Sequence, residues 1–239
     1  MWDNDRLLNR LADVLYGVAG VLIFYGALLV IIQLPVFALR EVEVTGRIVR
    51  TTRDQVHAIM ADQLKGNFFT LDLDATRTAF QKLPWVRRAT LRRRWPDRLE
   101  VELEEHVALA RWRDSALVNT HGEVFEAATG EVLPMFVAPE GTALEVAQRY
   151  DAFRTLLQPL RKRPVLVFLS ARRAWELRLN DGQVLELGRS QMEERLQRFV
   201  TAYARTLSQM PNQPYRIDLR YANGFAVRAT SLASRSPGA

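Results

Sequence analysis

The amino-acid sequence predicts an α+β fold behind a single N-terminal transmembrane helix: a small β-α-α-β-β unit, then a mostly antiparallel, mixed β domain with flanking helices. Three observations predict it. An uncharged apolar run lies near the N-terminus, strict apolar–polar alternation marks short strands, and capping residues precede amphipathic helical segments. With 239 residues, 48% of them hydrophobic, the chain can form one or two packed domains beyond the anchor.

The predicted transmembrane helix covers Val14–Leu34, 21 residues without a charge. At 1.5 Å per residue it spans about 31 Å, the thickness of the hydrocarbon core of a bilayer. A cleaved signal peptide is the alternative, with Val36-Phe37-Ala38 as its cleavage site. The apolar run is longer than a signal core of about 7–15 residues, so we predict a retained anchor.

The charges that flank this helix leave its orientation open. Two arginines precede it, and four lie between its end and residue 54. The positive-inside rule applied to these counts places the large C-terminal part in the cytoplasm. The same rule weakens for long translocated domains, and the greater part of this chain lies beyond the helix.

The first soluble unit begins with Leu39–Val44, which alternates as a short strand. Thr52 and Gln55 form a capping box that opens a helix. Asp72 or Asp74 caps a second helix, and a charged hairpin comes next. The order of elements is therefore β-α-α-β-β.

The stretch RRRWPDRLEVELEEH, Arg92–His106, predicts that hairpin. Its glutamates alternate with apolar residues, which is the period of a half-buried strand. Three cross-strand pairs follow from a loop at Pro96–Arg98: Arg94–Glu100, Arg92–Glu102 and Leu91–Leu103. The arginine run then forms a solvated charge ladder rather than a nucleic-acid-binding patch. Arg93 falls on the apolar face, and this register does not explain it.

The second soluble part is predicted to be a sheet with two covering helices. Its elements are two strands about His121-Gly122, a helix capped by Thr142, a central strand at Pro164–Leu169, a hairpin about Asn180-Asp181-Gly182, a helix capped by Ser190, and two strands about Ala222-Asn223-Gly224.

The predicted organisation is an N-terminal segment at 1–13, the anchor at 14–34, the β-α-α-β-β unit at 39–108, the β domain at 109–230 and a flexible tail at 231–239.

The sequence contains no pattern typical of a catalytic or cofactor site. It has no cysteine, and none of its histidines, His57, His106 and His121, has a second ligand at metal spacing on a helix. Helix capping explains Asp72 and Asp74 more simply than a catalytic carboxylate pair does. We predict an interaction protein, not an enzyme, with no cofactor, no metal, no small-molecule substrate and no nucleic acid. The net charge of +6 favours an anionic membrane surface or acidic partners.

Three stretches carry a family resemblance. LPWVRRATLRRRWPDRLEVELEEHVALARW (Leu83–Trp112) resembles the end of the POTRA domain in the FtsQ/DivIB family of bacterial cell-division proteins. LGRSQMEERLQRFVTAY (Leu187–Tyr203) and YRIDLRYANGFAVRA (Tyr215–Ala229) resemble its last long helix and its C-terminal strands. The resemblance covers nearly the whole chain and implies that the β-α-α-β-β unit is a POTRA domain.

The resemblance implies a single-pass, type II inner-membrane protein at the division septum, with its N-terminus in the cytoplasm and most of its chain in the periplasm. It further implies an essential scaffold role in the divisome, linking early and late division proteins. In that role the periplasmic part binds FtsB, in complex with FtsL, and other divisome proteins.

The family's partner-binding positions correspond in this chain to a helix arginine and a group of residues in and before the last strand: Arg195, Arg220, Tyr221, Asn223, Gly224, Phe225 and Val227. The chain departs from well-known members at Ala229, where they carry a tryptophan. Elementary sheet physics favours the same strand, because a final strand is often an edge to which a partner segment can add. The alternative is that Tyr221 and Phe225 simply complete the core.

A POTRA-containing outer-membrane assembly or secretion factor is the alternative function. Such proteins usually lack an N-terminal helical anchor and continue into a long series of barrel strands. A membrane-tethered hydrolase is a third class, and it would need a polar constellation that the sequence does not show.

Overall fold

The computed structural model describes residues 5–32, 37–63, 67–206, 215–221 and 224–229. The chain divides into two compact units, residues 1–105 and 106–239. The predicted tail at 231–239 lies outside the described residues.

The first unit begins with the helix α1 (Asp5–Ile32). Within it, Asn9–Ile31 is long and apolar enough to cross a membrane. Its apolar side chains are exposed, as in a helix whose solvent is lipid. This confirms the predicted N-terminal helix; the last two residues of the predicted span lie outside the described residues.

The rest of the first unit has the predicted β-α-α-β-β order. Its elements are β1 (Glu41–Thr45), α2 (Arg53–Gln63), α3 (Leu73–Gln81), β2 (Val86–Arg94) and β3 (Arg98–Glu105). The strands form a sheet in the order β1-β3-β2, with β1 parallel and β2 antiparallel to β3. The two helices and the sheet enclose a small core whose largest side chain is Phe80.

Both predicted caps of the first unit are present. The Thr52 backbone N–H donates to the Gln55 side chain at 3.0 Å, and the Gln55 N–H donates to the Thr52 hydroxyl at 3.3 Å. This reciprocal pair satisfies two N–H groups that a helix start leaves without partners. The Asp72 carboxylate accepts from the N–H groups of Asp74 and Ala75 at the start of α3.

The β2–β3 hairpin is present, but the predicted register is wrong by two residues. The loop is Trp95–Asp97, so Arg94 lies opposite Arg98, and Arg92 lies opposite Glu100 rather than Glu102. A shift of two residues leaves every side chain on its own face, so the alternation could not distinguish the two registers. Arg94 still contacts Glu100 diagonally, at 3.0 Å.

Arg93, which the predicted register left unexplained, has a structural role. Its guanidinium donates from Nη2 to the carbonyl oxygen of Leu71 at 2.6 Å. That carbonyl precedes the cap of α3, so Arg93 joins the hairpin to the start of the helix.

The second unit contains nine strands and two α-helices among its described residues. They are β4 (Ala108–Trp112), β5 (Ala116–Asn119), β6 (Val124–Phe125), β7 (Met135–Val137), α4 (Ala143–Leu157), β8 (Pro164–Leu169), β9 (Trp175–Leu179), β10 (Val184–Gly188), α5 (Met192–Thr206), β11 (Tyr215–Asp218) and β12 (Ala226–Ala229). The strands form one mixed sheet in the order β12-β11-β10-β9-β8-β7-β4-β5-β6. The predicted central strand, β8, is the middle member, and most strand pairs are antiparallel as predicted.

The apolar sides of α4 and α5 share one core with this sheet. Phe153 of α4 and Phe199 of α5 are fully buried, with Phe136 and Leu177 among the strand residues of the same cluster. The predicted cap of α4 is wrong: the Thr142 hydroxyl donates to the Pro139 carbonyl at 2.7 Å instead of capping the helix.

A carboxylate closes the far end of the first sheet. Glu105, the last residue of β3, accepts hydrogen bonds of 2.6–3.1 Å from the backbone N–H groups of Val49, Arg50 and Thr51. Burial acts to raise the pKa of the Glu105 carboxyl, but the hydrogen bonds from this segment outweigh it and hold the pKa below its ordinary value.

We expect the Val49–Thr51 segment to loosen in acid. A lowered folded-state pKa means that the stabilisation is complete above the unfolded value of about 4.3 and is lost as the pH falls through the folded value. Glu105→Gln should remove this pH dependence and lower the opening free energy of the three amides by about 1 kcal/mol. Hydrogen exchange of these amides from neutral pH to below about pH 4 measures both effects.

Glu102→Gln is the matched control, because Glu102 is an exposed glutamate of the same strand. Its exchange profile should follow that of the wild type. A Glu105→Gln chain with unchanged acid sensitivity would contradict the role assigned to Glu105.

Candidate partner-binding edge

The last strand lies at an edge of the nine-stranded sheet because of how α5 packs. The chain leaves β10, crosses the sheet face as α5 and returns as β11, parallel to β10. The crossover is held by buried residues of α5, among them Leu196 and Phe199. β12 then turns back antiparallel to β11, and no described strand pairs with its other side. The backbone groups on that side are available to an added strand.

The two aromatic residues of the predicted site have different environments. Tyr221 is 56% exposed. Phe225 is partly buried against the core, and its ring meets that of Phe199 edge-on at 6.2 Å between centroids. The alternative that both rings complete the core is therefore wrong for Tyr221 and right for Phe225.

Two arginines of the predicted site meet over Gly188, the last residue of β10. A Cβ added to Gly188 would lie 2.7 Å from Nη1 of Arg195 and 3.1 Å from Cγ of Arg220. Gly188 also has a φ of +79°, a conformation that side-chain-bearing residues rarely adopt. Glycine at this position is what lets the helix arginine and the strand-end arginine approach the same place.

Arg195 also makes a hydrogen bond within the fold. Its guanidinium donates from Nη1 to the carbonyl oxygen of Leu187 at 2.6 Å. That bond joins α5 to the end of β10, so Arg195 holds together the two elements on either side of the turn.

A row of carboxylates runs beside the edge on one sheet face. Glu176, Glu186 and Asp218 are aligned on adjacent strands β9, β10 and β11. Arg216 bridges Glu176 and Glu186, and Arg220 bridges Glu186 and Asp218. The hydrogen bonds from Arg220 hold the pKa of the Asp218 carboxyl below its ordinary value, and they raise the pKa of Arg220. Asp218 therefore stays ionised, and its contact and that of Glu186 fix the position of Arg220, the residue before Tyr221.

The remaining predicted positions divide among three outcomes. Gly224 is exposed, with nothing within 4 Å of an added Cβ. Val227 packs partly against the core. Asn223 lies outside the described residues. Ala229, the departure from well-known relatives, is exposed and pairs with Tyr215.

Sequence reasoning missed one residue of this edge, Arg228 of β12. It is exposed, lies opposite Arg216 and has no ion pair with any residue that the structure describes. The alternation of the last strand indicates its outward direction, but only the sheet order shows that it is a cation on an open edge.

Among the residues weighed from the sequence as catalytic or metal-binding candidates, Asp72, Asp74 and His106 have structural contacts instead. Asp72 caps α3, and Asp74 pairs with Arg77 at 2.6 Å. The His106 ring stacks on Phe125 at 4.1 Å between centroids. Among the described residues, no group of three or more His, Asp or Glu side chains is placed to hold a metal ion.

Comparison with known proteins gives matches over both units. The model of the FtsQ-type POTRA domain matches residues 37–106, and that of the C-terminal domain of cell division protein FtsQ/DivIB matches residues 110–220. The chain is 43% identical over 235 residues to cell division protein FtsQ of Nitrosospira multiformis, which covers 96% of this chain and 100% of that protein.

Two further relatives bear the same name. Cell division protein FtsQ of Burkholderia pseudomallei is 41% identical over 239 residues, covering 97% of this chain and 96% of that protein. That of Escherichia coli is 37% identical over 198 residues, covering 79% of this chain and 72% of that protein. The similarity thus extends over nearly the whole chain.

We expect the two aromatic residues to differ in their effect on folding. Phe225→Ala removes a ring packed on the core and should lower the free energy of unfolding by about 1–3 kcal/mol, less than the 3–5 kcal/mol typical of a fully buried ring. Tyr221→Ala should change it by no more than about 0.5 kcal/mol, since the side chain is largely in solvent. Thermal unfolding of the two variants measures the difference. Equal losses would mean that Tyr221 is also part of the core.

Proposed function

The chain belongs to the FtsQ/DivIB family of bacterial cell-division proteins, and from this premise we propose that it is an essential divisome scaffold that binds FtsB, in complex with FtsL, along the free edge of β12. We take its POTRA domain as residues 39–108 and its partner-binding β domain as residues 109–230. The family is non-catalytic, and the proposed role is one of binding.

The observation that carries this proposal is an open sheet edge with an exposed aromatic residue beside it. β12 pairs with β11 on one side only among the described strands. An extended partner segment can add there, with main-chain hydrogen bonds supplying affinity and side-chain contacts supplying specificity. Each such bond contributes about 0.5–1.5 kcal/mol net.

Tyr221 adds an exposed aromatic side chain to the backbone groups of the open edge. Binding energy concentrates in a few residues, and tyrosine is enriched among them. Tyr221 is 56% exposed, and the residue before it, Arg220, is held in place by its ion pair with Asp218.

Charge at this edge supports a partner segment that carries carboxylates. Arg228 points away from the core on the edge strand itself and has no ion pair among the described residues. Arg195 and Arg220 already have partners in Leu187 and Asp218. An acidic side chain of the partner could therefore pair with Arg228 without breaking an existing contact, whereas pairing with Arg195 or Arg220 would compete with their present partners.

The comparisons do not favour the alternative, an outer-membrane assembly or secretion factor. The matched POTRA model is the FtsQ type, and the FtsQ/DivIB C-terminal model follows it in the same chain. Such factors also contain POTRA units, but a shared fold does not imply a shared function.

For the partner site we expect Tyr221→Ala to weaken capture of the soluble part of FtsB by about 1–2 kcal/mol, since an exposed aromatic anchor is lost. Titration of the labelled FtsB segment against the wild-type chain and each variant gives the dissociation constants. Val124→Ala is the matched control: Val124 is 49% exposed and lies in β6, at the opposite edge of the same sheet.

The control variant should bind as the wild type does. Normal binding by Tyr221→Ala, or weaker binding that always accompanies a lower melting temperature, would show that the site is wrongly placed. Protection of β12 amides from hydrogen exchange on adding FtsB would identify strand addition as the mode of binding.

The proposed topology places the N-terminus in the cytoplasm and both soluble domains in the periplasm, at the septum. A reporter enzyme that is active only after export, fused after Ala229, should be active. The same reporter fused before α1 should be inactive. The reverse pattern would support the orientation that the arginine counts favour, and a mature chain beginning near Leu39 would show that the anchor is cleaved.

A further inference from the structure

The topology of the first unit gathers three segments at one end of its sheet. β1 is parallel to β3, with Glu41 opposite Arg98, so the start of β1 lies beside the tip of the β2–β3 hairpin. The Arg40 N–H donates to the Asp97 carbonyl at this tip at 3.0 Å. We call the set Phe37–Glu41, Asn67–Leu71 and Trp95–Arg98 the anchor-side end.

The third segment is held there by both of the others. The Phe68 N–H donates to the Phe37 carbonyl at 2.8 Å. Arg93, next to the hairpin tip, donates to the Leu71 carbonyl at 2.6 Å. The turn before α3, the start of β1 and the hairpin tip are therefore fixed to one another.

Chain length keeps this end close to the membrane. The helix α1 ends at Ile32, and Phe37 follows five residues later. A chain advances at most about 3.6 Å per residue, so Phe37 lies within about 18 Å of the end of the helix. With α1 across a bilayer, the anchor-side end is within reach of the headgroup layer.

Two aromatic side chains at this end are left in solvent. Trp95, at the hairpin tip, is 77% exposed. Phe69 is 46% exposed and meets the Phe37 ring edge-on at 5.1 Å between centroids. An indole has an apolar body and one polar N–H, which suits it to the boundary between headgroups and acyl chains.

Five arginines lie within or next to the three segments of the anchor-side end. Arg40 and Arg92 are exposed and have no ion pair among the described residues. Arg93, Arg94 and Arg98 have partners in Leu71, Glu100 and Glu41.

The carboxylates near this end are Glu41, Glu43, Asp72, Asp97 and Glu100, and Glu43 shares a rung of the sheet with Glu100 and Arg92. The five arginines are therefore balanced by five carboxylates, so attraction to lipid phosphates depends on the two arginines without an ion pair among the described residues. Guanidinium groups bind phosphate oxygens through paired hydrogen bonds, and Arg40 and Arg92 are available for lipid headgroups.

We propose that the anchor-side end docks on the membrane that α1 crosses, with Trp95 inserted at the headgroup–acyl boundary and Arg40 and Arg92 bound to phospholipid phosphates. The first unit is then held at two points, the anchor and the hairpin tip. The opposite end of its sheet is then directed away from the bilayer.

The structure offers a matched reference position at that opposite end. Val49 is 76% exposed, against 77% for Trp95. It is bound to Glu105, at the other end of the strand β3 that begins at Arg98. At about 3.3 Å per residue the two ends of β3 lie about 23 Å apart.

The test uses the full chain reconstituted in vesicles of phosphatidylethanolamine and phosphatidylglycerol. The chain has no cysteine, so Trp95→Cys and Val49→Cys each give one site for an environment-sensitive fluorophore. Lipids that carry a quencher either on the headgroup or on the upper acyl chain are added in turn. We expect the acyl quencher to act at least about fivefold more strongly on position 95 than on position 49.

Equal quenching at the two positions would overturn the proposal. Quenching at position 95 by the headgroup lipid alone would also overturn it, because this would mean tethering without insertion. A fluorophore at position 95 that lipids do not quench but a partner protein shields would overturn it as well. Circular dichroism checks that both variants fold. If Trp95→Cys does not fold, Phe69→Cys, which retains Trp95, serves as the reporter with the same outcomes.

Discussion

The packing of α5 onto the nine-stranded sheet determines where the candidate binding strand lies. Leu196 and Phe199 are fully buried, and each such side chain contributes about 1.5–3 kcal/mol relative to its exposed state. Because α5 connects β10 to β11 across one face, β11 can lie parallel to β10 and beside it, as the structure shows. β12 can then pair only with the outer side of β11. The free edge is thus a consequence of an apolar helix face.

Side-chain periodicity was predictable from neighbouring residues, whereas the choice between alternative pairing partners was not, even where the partners are close in sequence. The capping box at Thr52 and the apolar face of β3 follow from neighbouring residues, and both are present. The hairpin register was wrong because a shift of two residues preserves every face, so no alternation can detect it. Thr142 makes no cap bond, because its hydroxyl is turned toward the Pro139 carbonyl, to which it donates.

The family resemblance and the sheet-edge argument both predict a candidate site on the last strand, but neither predicts which of its residues are exposed and which pack on the core. Tyr221 and Phe225 flank a turn predicted from the sequence, and strand alternation gives no direction for a side chain at such a position. Their environments differ because Phe225 packs on Phe199, a helix residue 26 positions earlier in the chain. Arg195 appeared from the resemblance alone as a binding residue, yet its bond to Leu187 shows that the position also serves the fold. Arg228 required the sheet order, which is a global property of the chain.

These contacts explain how a short edge strand can be both stable and selective. A strand of four residues with one neighbour is marginal by itself, and Phe225 and Val227 attach it to the core. An exposed edge also invites pairing with any extended chain, and a charged residue on the edge opposes this. Arg228 supplies that charge, so an approaching strand without a carboxylate must desolvate an arginine without compensation. Under the proposed function, a partner that carries a carboxylate would avoid this cost, so Arg228 would both protect the edge and favour acidic partners.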